Sequence, residues 1–544
     1  MAMFHDALKT RPQRLLAAAA LALIALSFAF RGHLVFARYF DPDEMEHLHA
    51  AMCVFRGMLP ARDFFQHHPP LYYFLLAPIF FLGASLRLLF VGRTLSQLVT
   101  ALIIFSTYRL GRRAFGRDAG LLAAVWLSWH FVFLWRSLEI RPDVPAAFLL
   151  LEGIIRLWDG WRTSDWRSWF LAGLAFGGAF LFTPKVVYAL AGTAAAFGLG
   201  LLLGNSGEKF SARIKGVIPL AVAFVLPIAA CALYYFYRGA LAELVRTNII
   251  MPLNWRRKIW PWHLRTVIFY NPIFAVSAAA GLIFCRKQGV RLIPVLTALT
   301  AIGGSWLVPI AQAQYYLLFL PLTAIFAAWA FLVFFNWVTT DGSGRLSLAY
   351  IGLLSAGVGL PLALKYLWDY EYGLNLGNFW VGLGLTVALA AAAFFCVSRR
   401  KEKIRAAGTA LLFLSAMIRP AWVFAHYHLS HNREQLKAIG HLLLITSPED
   451  RVMDGWSGLS VFRPHAYYYY FLHEGVLMML TEEEKGPKLL AALKENPPRI
   501  IINDVYLNHV GAEVRDFIAH NYRPHVPGHP YLEFVGTPES LLKE

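Results

Sequence analysis

The stretch Asp41-Pro42-Asp43-Glu44-Met45-Glu46 follows closely on the first apolar run of the chain, residues 15–36, and its reading decides what kind of protein this is. Four carboxylates fall in six positions at a hydrophobic boundary, and Pro42 stiffens the backbone between them. Like charges held that close raise one another's pKa, so the cluster is costly unless a cation or a proton is meant to meet it. A solvated acidic loop is the bland alternative. Against it stands the continuation Arg62-Asp63-Phe64-Phe65-Gln66-His67-His68-Pro69-Pro70-Leu71-Tyr72-Tyr73, where polar, aromatic and proline residues crowd between hydrophobic elements.

Of the 544 residues, 58% are hydrophobic and 15% charged, against about 25% charged in a soluble domain. The chain reads as an α-helical polytopic membrane protein. Residues 15–36 are too long for a signal-peptide core and lack a small-residue cleavage pattern, so they form an uncleaved first span. Lys9, Arg11 and Arg14 place the N-terminus in the cytoplasm. Apolar runs follow near residues 87–108, 119–135, 144–158, 168–183, 186–204, 216–236, 264–284, 292–310, 315–337, 347–364, 378–397 and 406–424, giving about 13 transmembrane helices.

Starting inside, this register makes cytoplasmic the loops that hold Arg109/Arg112/Arg113, Arg156/Arg162, Lys209/Arg213, Arg286/Lys287, Arg345 and Arg399/Arg400/Lys401, and every one is basic. Counting residues 71–83 as a full span would invert it, so that proline-opened segment is expected along the outer interface. The net charge of +17 thus belongs largely to loops that orient the chain and face anionic membrane lipids; nucleic acid is not needed to explain it. The four cysteines are scattered and form no CxxC or disulfide framework.

Residues 1–424 are therefore expected to form a transmembrane domain, with an outer loop 37–86 that carries the acidic motif. Residues 425–544 are polar and read as a small extracytoplasmic α/β domain, with helices near 433–444 and 486–495 and strands near 499–505 and 531–536. Tyr467-Tyr468-Tyr469-Tyr470 reads as strand or membrane-interface packing, and Trp255 to Trp262 as an interface anchor.

Other charged groups share the outer face. Arg136 to Pro145 includes Arg141 and Asp143, and Thr183-Pro184-Lys185 is a turn between two spans, where a lysine is either snorkelled or paired. Arg93 and Glu152 fall inside spans, where ionisable groups face the protein interior; Arg93 could meet Asp143 or a phosphate. Tyr315 opens a span at the same surface. His67 and His68 invite a metal, but adjacent histidines point apart and no ligand spacing supports a closed site.

In this order, the first span, the acidic Pro-Asp-Glu motif, the His-Pro-Pro-Leu-Tyr-Tyr segment, the Arg-Pro-Asp turn and the Thr-x-Lys turn resemble the GT-C glycosyltransferases. Within them the chain is most similar to the branch of protein O-mannosyltransferases and the lipid A aminoarabinose transferase, chiefly over residues 35–190. The resemblance implies an inverting transfer of a sugar from a polyprenyl-phosphate donor to a hydroxyl or phosphate of a lipid or protein acceptor. It implies Asp43 as base, with Glu44 beside it and Asp143 as the second aspartate of the family. It implies Lys185 on the donor phosphate, where Arg93 and Arg141 can also reach, with His68, Tyr72 and Tyr315 lining the substrate site. Where the aminoarabinose transferase has a lysine before the proline, this chain has His68. One base and a set of cations suffice for a single displacement, with no cofactor or metal required. A lipid or glycan transporter is the alternative; it predicts broken helices, polar groups at the bilayer midplane and two related halves, whereas here the polar groups gather at outer helix ends.

Overall fold

The computed structural model describes residues 11–202, 208–253, 263–285, 291–308, 311–340, 431–525 and 531–534, with isolated positions between 407 and 417. The first ten expected spans each coincide with a helix or a pair of helices in this range, from Arg11–Ala37 to Leu320–Thr340. Ala17–Ala37, Arg87–Phe115, Arg213–Tyr237 and Leu320–Trp337 are long and apolar enough to cross a membrane. The expected segments 347–364 and 378–397, nearly all of 406–424, and the tryptophan-rich run 254–262 lie outside the described residues.

Two spans are not continuous. The third breaks at His130, whose extended backbone separates Arg117–Trp129 from Phe131–Arg136. The eighth breaks at Asn271, between His263–Tyr270 and Pro272–Phe284, where Pro272 opens the new helix. Packing follows the logic of helices in lipid, where small residues let backbones approach. Gly173 and Gly177 of Trp166–Phe182 face Glu208–Tyr237 so closely that a Cβ at either would strike the carbonyl of Leu220 or Phe224. Glu152 proves to be a structural partner: it accepts from Arg109 at 2.6 Å and Ser106 at 2.6 Å.

The acidic run was expected in a loop and is instead the start of a helix, Pro42–Phe55. Asp41 caps it by accepting from the Asp43 amide at 3.1 Å, and the Glu44 carboxylate returns to the Asp41 amide at 3.0 Å. Pro42 sits in the first turn, where its fixed φ fits and no donor is lost. Beyond it, Leu71–Leu76 continues as a 3₁₀ turn over Ala77–Leu82, too short to span a bilayer and with Phe81 and Leu82 exposed.

The C-terminal part is a four-stranded sheet in the order β1-β2-β4-β3, with β1 Val452–Asp454, β2 Ile500–Ile502, β3 Tyr522–Pro524 and β4 Tyr531–Phe534. β1 pairs with β2 in parallel; β4 runs antiparallel to both its neighbours. Both faces of β2 are buried. Ile501 packs with Leu489, Leu493 and Val514, while Ile500 and Ile502 pack with Leu442 on the other side. The tyrosine run is not a strand. It clamps the C-terminal part to the segment after the Pro42–Phe55 helix: the Tyr468 hydroxyl donates to the Ala61 carbonyl at 2.6 Å, and the Phe65 amide donates to the Tyr468 carbonyl at 2.9 Å. Asn432 and Gln435 add hydrogen bonds to the backbone of Phe36 and Phe40 at the exit of the first span.

Candidate active site

Where the ends of several membrane helices meet the C-terminal part lies a cavity of about 230 Å³. Its acidic wall comes from the first turn of the Pro42–Phe55 helix. Arg141 holds that wall together, donating to Asp43 Oδ2 at 2.7 Å and Glu139 Oε2 at 2.5 Å and pairing with Asp41 Oδ1 at 3.0 Å. Arg136 meets Asp41 at 3.2 Å and Glu139 at 3.0 Å, and Arg38 meets Glu139 at 3.0 Å. Three guanidinium groups thus answer three carboxylates, which is what lets so much charge persist at low exposure.

Two of the carboxyls that line the cavity are driven apart in acidity. Burial pushes Asp43 up, but Arg141 outweighs it, with His473 and His47 assisting, and holds the group at about 2. Burial and the neighbouring charge of Asp43 push Glu46 to about 8, against a hydrogen bond from Gln66 at 3.3 Å. The site therefore presents an ionised Asp43 together with a Glu46 that keeps its proton at neutral pH.

Another part of the lining is cationic and aromatic. Lys185 projects from the Thr183-Pro184 turn between Trp166–Phe182 and Val186–Leu202, its ammonium 3.6 Å from the centre of the Tyr315 ring and 4.0 Å from Asp143 Oδ1. Asp143 is the first residue of the helix Asp143–Thr163. Among the described cations that line the cavity, Lys185 is held least tightly, since Arg136 and Arg141 are each committed to two or more carboxylates. His47, His67 and His68 also line the cavity; burial lowers all three, His47 to about 3, so they meet a ligand as neutral imidazoles.

Of the residues expected at a site, Asp43, His68, Arg141, Asp143, Lys185 and Tyr315 line this one cavity. Three do not. Glu44 and Arg93 are sequestered with each other: Arg93 Nη2 and Nε donate to the two oxygens of Glu44 at 2.6 and 2.8 Å, and its remaining N–H groups go to the carbonyls of Arg38 and Tyr39, both at 2.7 Å, and of Val35 at 3.3 Å. The guanidinium lies 3.8 Å from the Phe40 ring centre. Arg93 thus meets neither Asp143 nor a ligand; it ties the end of the first span to the acidic helix. Tyr72 is buried under the site against His47, Tyr73 and Phe182.

Other lining groups were not among the residues assigned a role at the site. Asp41, Glu46 and His47 sit among the expected residues, and Gln312 precedes Tyr315. Trp456, His473 and Tyr506 come from the C-terminal part, so that part is a wall of the site. His473 caps the helix Glu474–Met479 by accepting from the Gly475 amide at 3.1 Å, and its ring lies against Trp456.

Residues 67–235 match the family described as dolichyl-phosphate-mannose-protein mannosyltransferase. In structure the chain is similar to ArnT from Cupriavidus metallidurans bound to undecaprenyl phosphate, with a TM-score of 0.60 at 14% identity over 95% of this chain and 96% of that one. The apo state of the same protein gives 0.62 at 13% identity, over 97% and 98%. An oligosaccharyltransferase from Archaeoglobus fulgidus, tethered with an acceptor peptide containing the NVT sequon, gives 0.50 at 11% identity over 96% and 74%. No curated protein matches the chain. The chain thus shares its fold with ArnT, and it is a multi-pass membrane protein.

Proposed function

We propose that this chain is a membrane glycosyltransferase that moves a sugar from a polyprenyl-phosphate donor to a hydroxyl or phosphate of a lipid or protein acceptor. The observation that carries the reading is the pairing, across one cavity at the outer helix ends, of an ionised Asp43 with the loosely held ammonium of Lys185. Sugar transfer asks for those two things: a base for the acceptor proton and a cation for the departing phosphate.

The acceptor hydroxyl gives its proton to Asp43 as its oxygen attacks the anomeric carbon from the face opposite the lipid phosphate. The bond from that carbon to the phosphate oxygen breaks in the same displacement, and the configuration inverts. Lys185 takes the growing charge on the phosphate, with N–H groups of His67 and His68 as further donors. Asp143 sets the position of the lysine. Glu46, protonated, supplies a donor for a sugar hydroxyl without adding charge beside Asp43. No cofactor and no metal is called for in the transfer. The reading divides the chain into a membrane domain to residue 424 and an extracytoplasmic domain from 425. It puts the N-terminus in the cytoplasm and the cavity on the outer face of the plasma or inner membrane, on the strength of the basic loops.

The test is to incubate the purified protein with a panel of polyprenyl-phosphate sugars and measure released polyprenyl phosphate. Release with one sugar, dependent on an added acceptor, supports the reading. Vesicle-to-vesicle or cross-bilayer movement of the intact lipid without release would replace it with transport.

A further inference from the structure

His47 faces the cavity; His49, two residues on and so about 200° round the same helix, points elsewhere. It is buried beside Cys53, one turn further along the same face, and both meet His465 of the C-terminal part. The Nε2 atom of His49 lies 2.9 Å from Nδ1 of His465, and Cys53 Sγ lies 3.7 Å from that same nitrogen. All three ligand atoms fall within 4.8 Å of one another.

The chemistry of this cluster is set from behind. His49 Nδ1 is 3.2 Å from the carbonyl of Val461, and a carbonyl can only accept, so Nδ1 carries the hydrogen and Nε2 turns its lone pair to the cluster. That is the arrangement by which metal-ligating histidines are oriented. The Tyr470 ring stacks on His465 at 5.1 Å and lies 4.7 Å from His49, so neither imidazole is free to turn away. Metal–ligand bonds of about 2.0–2.3 Å in a tetrahedral site put ligand atoms roughly 3.3–3.8 Å apart, so the Cys53–His465 distance already fits, the two imidazoles need part by only a few tenths of an ångström, and the Cys53–His49 pair, within 4.8 Å, has at most about an ångström to close. Beside the cluster a cavity of about 440 Å³, lined by Cys53, Arg56, Arg451 and His465, gives an entry path and room for a water.

We propose that His49 Nε2, His465 Nδ1 and Cys53 Sγ bind Zn²⁺, with a water from the adjoining cavity as fourth ligand, and that the ion fastens the C-terminal part to the helix bearing Asp43. On binding, the Cys53 S–H bond breaks as the S–Zn bond forms and its proton leaves to solvent. The hydrogen of His465 moves from Nδ1 to Nε2, and no electron changes hands. A borderline-soft ion without redox chemistry suits one thiolate and two imidazoles. The consequence for the active site is registration: Trp456 and His473 reach the cavity only while the C-terminal part stays docked.

The test uses the full chain in detergent, stripped with a chelator and titrated with Co²⁺ and Zn²⁺. One equivalent of Co²⁺ should give a thiolate-to-cobalt charge-transfer band that Zn²⁺ abolishes. Cys53→Ser should remove the band and weaken Zn²⁺ binding at least about 100-fold, since loss of a hydrogen-bond partner behind a ligand alone costs 10–100-fold, while Cys231→Ser changes neither. X-ray absorption of the Zn-loaded parent should show one sulfur near 2.3 Å among nitrogen and oxygen neighbours near 2.0–2.1 Å, which decides the matter even where Cys53→Ser does not fold. No band in the parent, a band that survives Cys53→Ser, or a zinc shell without sulfur would each overturn the proposal and leave a hydrogen-bonded His-His-Cys packing cluster. A shell of nitrogen and oxygen only would put the ion among the cavity histidines instead.

Discussion

Arg93 and Glu44 meet through two hydrogen bonds of 2.6 and 2.8 Å with both side chains fully buried, which makes the pair a strut beneath the acidic helix. Removing one member leaves the other charged and unpaired in a dry site, a loss of about 3–5 kcal/mol. Arg93→Ala is therefore expected to lower the melting temperature in detergent and the yield of folded protein. Whatever fraction folds should keep a donor affinity near that of the parent. A protein of parental stability with weakened donor binding would return Arg93 to the substrate site.

Lys185→Ala should act the other way round. The lysine is partly exposed to the cavity and its nearest carboxylate is 4.0 Å off, so the fold loses little. A lipid phosphate loses a charge-assisted contact of about 1.5–3 kcal/mol. The expected result is donor binding weaker by roughly 10–150-fold at unchanged thermal stability, read by titration with the polyprenyl-phosphate sugar that the panel identifies.

The parts legible in the sequence are those written locally. Apolar runs mark the helices of the first ten expected spans, and four of the six site residues, Asp43, Arg141, Asp143 and Lys185, declare themselves by charge at the ends of apolar runs. What escapes depends on distance along the chain. Glu44 resembles its neighbours in sequence and differs only because Arg93, 49 positions on, lies beneath it. His473 and Trp456 join the cavity from beyond residue 450, with no spacing to announce it. β1 and β3 are three residues each, too short for an alternation to be read. The acidic run reads as a loop because its charges hide a capping box; Asp41 and Glu44 at that spacing, with Pro42 between, are a helix-start signature.

Glu46 makes stability depend on pH in a definite direction. Its carboxyl is raised from an ordinary 4.5 to about 8, so between those values the folded protein holds a proton that the unfolded chain has released. Stability must then fall as pH rises through that window and level off above it, with a slope on the order of 1.4 kcal/mol per pH unit before other groups are counted. Asp43 works oppositely, since its depressed carboxyl stabilises the fold above about 4 and the contribution is lost as pH falls toward 2. Glu46→Gln keeps the shape and abolishes the first effect. Melting temperatures taken from pH 5 to pH 9 should decline less in Glu46→Gln than in the parent; parallel declines would mean that Glu46 is ionised in the fold.

Asp43→Asn separates chemistry from architecture, because the clamp on it survives the change. Arg141 retains Asp41 at 3.0 Å and Glu139 at 2.5 Å, and the helix cap belongs to Asp41, so the acidic wall should stand. What disappears is the basic oxygen. In the proposed mechanism proton removal develops on the way to the transition state, whereas the phosphate is held by Lys185, so the loss should fall on turnover and spare donor affinity. A reduction of at least about 100-fold in transfer rate is expected, the usual contribution of a general base. Asp41→Asn is the matched control: asparagine caps a helix as well as aspartate does, and a second carboxylate still holds Arg136, so its effect should be several times milder. Measured side by side in one transfer assay, equal losses in the two variants would mean that the wall acts through bulk charge, and a near-parental rate in Asp43→Asn would move the base elsewhere. Glu46, protonated at neutral pH in the parent, would then be the group to examine, and its signature would be a rate that rises with pH through about 8.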